Sequence, residues 1–303
     1  NTDYYPRLIY AAALWFGGID ENDSLRFTGT MFNAGGRDIF SGPYSSNDSY
    51  LSPDYLSNYN HAIWTVSREQ IVYHIDNHTQ SNYVVPEGIA NWPGNGMTEL
   101  GVAQNLAPFI DVDGDNIYNP SAGDYPCIRG DMASYVIMND MANEHTETGG
   151  PQMGLEFHLM FYQFKSDNYL DSTTFLNVRV INRGTHTYND FKTAIYMDAD
   201  IGCSENDYSG CDSTRNMMYT YNGTPTDPSC SGSLGFNDNP PAVGVVSLKH
   251  GAKVIANFSR IGYGCAVEGI TTDPNHYEQH WGYMNGYWLN GSPFSYGGCG
   301  FED

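Results

Sequence analysis

The sequence has little positive charge and no long hydrophobic run. Its 303 residues include 13 Lys and Arg against 35 Asp and Glu, which gives a formal net charge of −22. Nucleic acids and anionic lipid surfaces bind to basic patches, so this balance excludes nucleic acid as an expected partner and disfavours a membrane surface. Because no stretch of about 18 apolar residues occurs, the sequence predicts no membrane insertion.

Recognised catalytic motifs are also absent. The sequence contains no G-x-S-x-G, no phosphate-binding P-loop and no G-x-G-x-x-G before a helix. A zinc protease needs Glu directly after the first His of a helical pair, whereas Glu278 lies midway between His276 and His280. We interpret that segment as a surface turn, and the polar run at 143–150 as a turn capped by its own side chains. We therefore expect a protein that is not an enzyme.

The sequence is rich in tyrosine and glycine, and it contains an even number of cysteines. The 24 Tyr and 33 Gly are typical of β structure with aromatic faces and glycine turns. The six cysteines favour disulfides and an oxidising compartment over buried thiols, and Cys203 with Cys211 is the predicted pair because the two bracket a short loop. The sequence begins Asn-Thr-Asp, so we expect a mature secreted protein whose signal peptide has been removed.

An acidic loop at 111–131 is the strongest candidate for a binding site. Calcium takes six to eight oxygen ligands at about 2.3–2.6 Å, and aspartates alternate here at the spacing of an EF-hand start. Ala122 stands where an EF-hand needs Glu, so we predict a calcium loop between β elements rather than an EF-hand. The alternative is an acidic surface turn. The predicted ligands are Asp111, Asp113, Asp115, the backbone carbonyl of Ile117, Asn119 and Asp124.

A second acidic loop follows a predicted strand at 190–198. Carboxylates again alternate at a strand end, and a Cys203–Cys211 disulfide would hold the loop in shape before a cation binds. A plain acidic loop is the alternative. The predicted calcium ligands are Asp198, Asp200, Asp207 and Asp212.

Hydrophobic periodicity predicts mostly strands. Alternation or short apolar runs indicate strands at 8–17, 24–33, 61–66, 133–138, 155–164, 173–182, 190–198, 217–221, 243–248 and 253–258. We expect the first two to form a hairpin, and the pair at 173–182 and 190–198 to form another. Ser67 and Gln70 form a capping-box pattern that predicts a helix ending near Asn77. Residues 34–60 are predicted to be a long loop.

These elements predict a mainly β protein. We expect an immunoglobulin-like or jelly-roll-type β-sandwich with long loops and one short helix near residues 67–77. The predicted organisation is a β-rich N-terminal part at 1–110, the calcium loop at 111–131 and a sandwich part at 132–303, packed as one compact unit. We also expect the sequence to be a fragment of a longer protein.

Several concatenated segments carry a family resemblance. They read LWFGGID, APFIDVDGDNIYNPSAGDYPCIRGD, NEHTETGGPQMGLE, TTFLNVRVINRGTHTYND and MDADIGCSENDYSGCD. This order resembles the N-terminal module of large secreted Bacteroidota proteins, which end in a type IX secretion sorting domain and often carry adhesive repeats. The resemblance implies an extracellular or cell-surface location, and it places that family's two acidic loops on the aspartates named above.

We therefore expect a non-catalytic extracellular structural or adhesive protein, stabilised by calcium and disulfides, in a surface appendage, filament or surface layer. Its expected partners are further copies of itself or other surface proteins. The alternative is a glycan-binding accessory module of a secreted hydrolase, in which Tyr and Trp side chains at 281–301 stack on sugar rings. Those aromatic residues could instead belong to the core.

Overall fold

The computed structural model describes residues 5–31, 35–249, 254–255, 257–258 and 266–295. Within these residues the chain is mainly β, with 15 strands in several antiparallel sheets and few helices. The prediction of a mainly β protein is confirmed, and the arrangement is consistent with a fold of the β-sandwich type. No helix in this part of the chain has the length and apolar character needed to cross a membrane.

The strands follow the predicted periodicity closely in the middle of the chain. In order they are β1 Ala11–Asp20, β2 Leu25–Thr28, β3 Phe40–Ser41, β4 Trp64–Ser67, β5 Phe109–Ile110, β6 Tyr125–Pro126, β7 Met132–Asn139, β8 Leu155–Gln163, β9 Phe175–Asn182, β10 Tyr188–Asp198, β11 Asp207–Asp212, β12 Met217–Asn222, β13 Thr226–Asp227, β14 Asn237–Asp238 and β15 Ala242–Val246. Residues 253 and 256 of the predicted strand at 253–258 lie outside the described residues, and the four described residues of that segment are not in a strand.

Four α-helices are described where one was predicted: α1 Pro53–Tyr59, α2 Arg68–Asn77, α3 Glu87–Ala90 and α4 Tyr277–Met284. Helix α2 is the predicted one, and both hydrogen bonds of the Ser67–Gln70 capping box are present. Helix α1 lies within the predicted long loop; Ser52 caps it and proline occupies its first turn. The segment interpreted as a surface turn around His276 and His280 is helix α4, so that interpretation is wrong.

The chain divides into two compact units, each built from separate stretches of sequence. The first unit comprises Asn1–Asp38, His145–Pro151 and Thr187–Asp303, and the second comprises Ile39–Glu144 and Gln152–His186. These units do not follow the predicted divisions after residues 110 and 131. Each unit has its own aromatic core, one around Trp15, Phe27 and Tyr283, the other around Tyr55, Trp92 and Tyr135.

The second unit is built on a five-stranded antiparallel sheet. Strands β7, β8 and β9 pair in sequence, and β3 and β4 both pair with β7. Strand β7 alternates buried and half-buried positions, whereas the first six residues of β8 are all buried. Helix α2 follows β4 directly and contacts β6, which brings it beside the base of the acidic loop.

In the first unit, β1 lies between β2 and β10, and β11, β12 and β15 form a second three-stranded sheet. The predicted β1–β2 hairpin is confirmed. The predicted hairpin of β9 with β10 is wrong, since β9 pairs with β8 and β10 pairs with β1. The Asn-Arg-Gly segment after β9 does not close a hairpin; instead the N–H groups of Arg183 and Gly184 both donate to the carbonyl of Gly154.

Buried carboxylates that accept backbone N–H groups recur through both units. Asp140 shows the pattern: its two oxygens accept from Met153 N at 2.5 Å and Leu155 N at 2.7 Å, and it has no exposed surface. A buried carboxylate is stabilised only when such donors replace its water. The residues of this kind are Asp20, Asp38, Asp124, Asp140 and Asp227.

Glu156 is a buried carboxylate with charged partners in the second unit. Its Oε1 accepts from Arg183 Nη2 at 2.8 Å and lies 2.8 Å from His158 Nε2, and its Oε2 accepts from Tyr44 N at 2.9 Å. Burial alone would raise the pKa of Glu156, but hydrogen bonds and charge from His158 and Arg183 outweigh it and lower the pKa. Tyr135 extends this network through its hydroxyl, 2.7 Å from His158 Nδ1.

We predict that Asp140→Asn lowers the free energy of unfolding by about 2–3 kcal/mol, because an amide group offers one acceptor where two backbone donors need one each. Urea denaturation followed by tryptophan fluorescence measures this. The matched control is Asp76→Asn on the exposed side of α2, which removes the same charge and should change stability little. Equal effects of the two substitutions would contradict the structural role of Asp140.

Candidate functional site

A short β ladder closes the first acidic loop at its base. Phe109 pairs with Pro126 and Ile110 with Tyr125, so the chain leaves and re-enters the fold at one point. Just inside this ladder, Asp124 accepts from Val112 N and from Asn119 N, both at 2.8 Å, and it has no exposed surface. Asp124 therefore ties the two sides of the loop together, a role that the sequence did not predict; its role as a calcium ligand stays a prediction.

Three of the predicted ligands converge at the tip of this loop. Carboxylate oxygens of Asp111, Asp113 and Asp115 all lie within 4.8 Å of one another. Backbone N–H groups hold them there, since Asp111 accepts from Gly114 and Asn116 at 2.7 and 2.9 Å, and Asp115 accepts from Ile117 at 2.7 Å. Such repeated Asx turns shape the loop before any cation binds.

The surroundings shift the pKa values of Asp111 and Asp113 in opposite directions. The N–H group of Asn116 is the largest cause of the lowered pKa of Asp111. Desolvation is the largest cause of the raised pKa of Asp113, and the charges of Asp115 and Asp124 raise it further. Carboxylates this close repel one another, so a cation among them would remove an unfavourable interaction.

The structure gives less direct support for the other two predicted calcium ligands of this loop, Asn119 and the backbone carbonyl of Ile117. The side-chain oxygen of Asn119 accepts from Ser121 N at 3.0 Å and caps a short 3₁₀ turn. Ile117 is 48% exposed, and its backbone N–H is the group bonded to Asp115. A carbonyl ligand from Ile117 and an amide ligand from Asn119 stay predictions.

Sequence reasoning missed the residues that anchor this loop to the core. Asn95 donates to the carbonyl of Tyr118 at 2.9 Å and accepts from its N–H at 2.8 Å, which mimics a strand partner. The Tyr118 side chain is buried, and its hydroxyl donates to the carbonyl of Ile89 at 2.7 Å. Periodicity gives no indication of these contacts, because Asn95 lies in a segment with no regular pattern.

The second acidic loop brings together only some of its predicted ligands. Desolvation raises the pKa of Asp198 and that of Asp207 to about 6, and the charge of Asp200 adds to both shifts. Desolvation also raises the pKa of Asp200. These three carboxylates therefore influence one another, although within the described residues they do not form a group whose oxygens lie as close as those of the first loop.

Asp207 and its neighbours Asn206 and Asn222 each have a buried side-chain oxygen that accepts no hydrogen bond from the described residues. It pairs with Asn222 across β11 and β12, so both side chains lie on the same face. Asp207 Oδ2 accepts from Ile201 N at 2.8 Å, but Asp207 Oδ1 and the Oδ1 atoms of Asn206 and Asn222 are buried without a hydrogen-bond partner among the residues described. Oxygen atoms in this state are the kind that hard cations bind.

The structure does not bring Asp212 to this group. Asp212 is at the opposite end of β11 from Asp207, about 16 Å away at the rise of an extended strand. It forms an ion pair with Arg215, and the hydroxyl of Thr214 is the largest cause of its pKa falling to about 2. Alternating carboxylates suggested a single cluster, but strand β11 separates them.

The predicted disulfide is wrong. Cys203 is bonded to Cys230, with Cα atoms 5.4 Å apart, whereas Cys211 lies within β11 as an exposed free thiol. The short spacing of Cys203 and Cys211 favoured their pairing, but the extended strand directs Cys211 away. Cys127 is also an exposed free thiol, and Cys265 and Cys299 lie outside the described residues.

Asp227 is a second anchor that the sequence did not reveal. It is fully buried, and its oxygens accept from Cys203 N at 3.2 Å and from Phe236 N at 2.7 Å. The segment from Asp227 to Cys230 therefore fixes Cys203 in two ways, through the disulfide bond and through the hydrogen bond to Asp227. The disulfide closes a loop of 27 residues, for which chain entropy gives a stabilisation of about 3–4 kcal/mol.

Comparison of the chain with protein-family models, with curated protein sequences and with solved structures finds no match.

We predict that the Cys203–Cys230 bond and the free Cys211 can be distinguished chemically. Iodoacetamide applied to the native, unreduced protein should alkylate Cys211 and leave Cys203 and Cys230 unmodified, because Cys211 has an exposed thiol whereas Cys203 and Cys230 are bonded to each other. Peptide mass spectrometry should also find the crosslinked peptide that contains Cys203 and Cys230. A crosslinked peptide containing Cys203 and Cys211 would contradict this pairing.

A second prediction concerns pH in the second loop, measured in the presence of EDTA. The pKa values of Asp198 and Asp207 in the folded protein, about 6, exceed the unfolded value of about 3.9, so ionising these groups destabilises the fold above about pH 6. Their contribution to stability should therefore rise as the pH falls from about 7 to about 5. The double substitution Asp198→Asn and Asp207→Asn should remove this rise in the thermal midpoint.

Asp212→Asn is the control for that experiment. The pKa of Asp212 is lowered rather than raised, so its ionised form is the favoured one in the fold. The substitution should leave the pH trend between about 7 and about 5 unchanged, because Asp212 is ionised throughout that range. A trend that survives the double substitution would show that other groups cause it.

Proposed function

We propose that this chain is a non-catalytic extracellular structural module whose loops are fixed by calcium and by a disulfide. It would serve in a surface appendage, filament or surface layer, packed against further copies or other surface proteins. The observation that carries the calcium part is the convergence of the Asp111, Asp113 and Asp115 carboxylates within 4.8 Å.

Calcium is the cation that the first loop supports best. Its ligands would be oxygens only, and backbone carbonyls and water can complete a coordination shell of six to eight. The loop is already ordered by Asx turns and by Asp124, so binding costs little conformational entropy. In the second loop Asp198, Asp200 and Asp207 converge less closely, and the same proposal is supported there by the Oδ1 atoms of Asp207, Asn206 and Asn222, which lack a hydrogen-bond partner among the described residues.

Disulfide bonding and acidity support an extracellular location. A disulfide such as Cys203–Cys230 persists in oxidising compartments. The net charge of −22 suits a protein that holds divalent cations at its surface. The resemblance of the sequence to N-terminal modules of secreted Bacteroidota proteins supports the same location and the structural or adhesive role, with export by the type IX secretion system.

A buried relay in the second unit supports a structural rather than catalytic role. Tyr135, His158 and Glu156 form a hydrogen-bonded chain of the kind that enzymes use to move protons. Their exposed fractions are 3%, 2% and 0%, and Arg183 and the backbone of Tyr44 complete the bonding of Glu156. Because all three side chains are buried, we assign this hydrogen-bonded chain a role in stabilising the core.

The alternative of a glycan-binding module has one observation in its favour. Tyr208 and Tyr221 are direct partners across β11 and β12; their rings stack at 6.1 Å, and they are 61% and 45% exposed. Exposed, parallel aromatic rings can stack on sugar rings. Of the aromatic residues at 281–301 that the structure describes, Tyr283 and Trp288 are buried in the core of the first unit, whereas Tyr287 is 47% exposed.

We predict that calcium raises the thermal midpoint and that Asp113→Asn removes the part of this rise that the first loop contributes. At a calcium concentration about 100 times the dissociation constant, one site would contribute about 2.7 kcal/mol of stability. Differential scanning calorimetry with calcium and with EGTA measures the midpoint. The control is Asp76→Asn, which removes an exposed carboxylate outside both loops and should keep the full calcium effect.

Assembly and glycan binding separate the two functions. Size-exclusion chromatography and electron microscopy should find calcium-dependent association in the structural module, whereas a glycan array should find selective sugar binding, lost in Tyr208→Ala, in the alternative. A midpoint and an assembly state that chelation leaves unchanged would refute the structural proposal.

A further inference from the structure

A cavity in the first unit brings together two polar segments that the calcium proposal does not use. It has a volume of about 310 Å³ and lies between residues 146–147, residues 273–275 and helix α4. This volume is at the lower end of small-molecule sites. The side chains that matter for its chemistry are those of Met31, Glu147, Asp273, Pro274 and His280.

His280 supplies a buried acceptor at this cavity. It is 2% exposed, and its ring lies against Trp15 and Phe27, at 4.6 and 5.2 Å between ring centroids. Its Nδ1 lies 2.9 Å from the carbonyl of His276, so Nδ1 carries the proton and Nε2 has a free lone pair. Nε2 is buried and has no hydrogen-bond partner within the described ranges. Desolvation lowers the pKa of His280 to about 4, which keeps the ring neutral at neutral pH.

Two carboxylic acids give the same cavity negative charge. Glu147 is held in place because its Oε2 accepts from Gly36 N at 2.7 Å and its Oε1 from Met31 N at 3.4 Å. Asp273 also lines the cavity, from the segment before α4. The described lining includes neither Lys nor Arg, so acceptors and negative charge dominate it. A complementary ligand must therefore be a cation that carries N–H donors.

The spacing of these groups distinguishes between kinds of cation. Within the described residues, His280, Glu147 and Asp273 do not form a group whose ligand atoms all lie within 4.8 Å of one another. A single metal ion or a single ammonium nitrogen needs its acceptors around one point, whereas the five N–H donors of a guanidinium spread over a planar fork. Met31 and Pro274 can contact the carbon chain attached to such a group.

We propose that this cavity binds a guanidinium group carried on an alkyl chain, with N–H donors directed to His280 Nε2, Glu147 and Asp273. The group could belong to a small molecule or to an arginine side chain of another protein. Both sources present the same chemistry to the cavity, and the probes below distinguish between them.

Isothermal titration calorimetry with n-butylguanidinium chloride tests the proposal directly. We expect binding with a dissociation constant of about 1 mM or tighter, and at least about tenfold weaker binding of n-butylammonium, which has the same charge and chain but fewer donors. A pentapeptide Gly-Gly-Arg-Gly-Gly that binds more tightly than n-butylguanidinium would indicate a protein source, and weaker peptide binding a small molecule. Equal affinity for n-butylguanidinium and n-butylammonium, or no binding of either, would overturn the proposal.

Substitutions locate the binding within the cavity. Glu147→Gln and Asp273→Asn should each weaken n-butylguanidinium binding by about tenfold, because each removes a charge-assisted hydrogen bond. Glu278→Gln is the matched control, since Glu278 is exposed on α4 and does not line the cavity. Because Glu147 also holds backbone N–H groups, the chemical shift of His280 Cε1–H in the unsubstituted protein provides a second measurement. Unchanged affinity in both cavity variants, or no shift of His280 on titration, would refute the assignment.

Discussion

The structure depends on buried carboxylates that accept backbone N–H groups from distant parts of the chain. Asp38 accepts from Glu147 and Thr148, more than 100 residues away in sequence, and Asp140 and Asp227 act similarly over shorter separations. Removing such a carboxylate would leave two buried donors without acceptors, so these residues order long loops.

The same interaction prepares both acidic loops for the proposed cations. Asp124 fixes the base of the first loop, and Asp227 together with the Cys203–Cys230 bond fixes the second. A loop that is already ordered loses little conformational entropy when an ion binds. The attraction between the ion and the carboxylates is then not offset by the cost of ordering the loop. The acidity of the sequence therefore has two parts, buried carboxylates that organise backbone and exposed ones that are available to ligands.

Sequence patterns predicted the longer strands and helix α2 well, but missed the short strands, β11 and three helices, and predicted strand partners less well. Alternation in β7 and β8 and the capping box of α2 are local properties, so the strands and the helix were predicted within a few residues. Strand β10 was predicted correctly, but it was predicted to pair with β9. Its actual partner, β1, lies far away in sequence. Helix α4 was missed since Pro274 and Gly282 suggested a turn, although the proline precedes the helix and leaves its hydrogen bonds intact.

The spacing of Asp111, Asp113 and Asp115 was enough by itself to predict a carboxylate cluster, because alternating residues in one short turn must lie close together. The β class and the helix cap were likewise determined by local sequence. Only the tertiary structure decided that Cys230 rather than Cys211 pairs with Cys203, that Asp212 lies apart from Asp207, and that His280 meets Glu147 at one cavity. Those outcomes depend on which distant segments pack together, and no local periodicity encodes that choice.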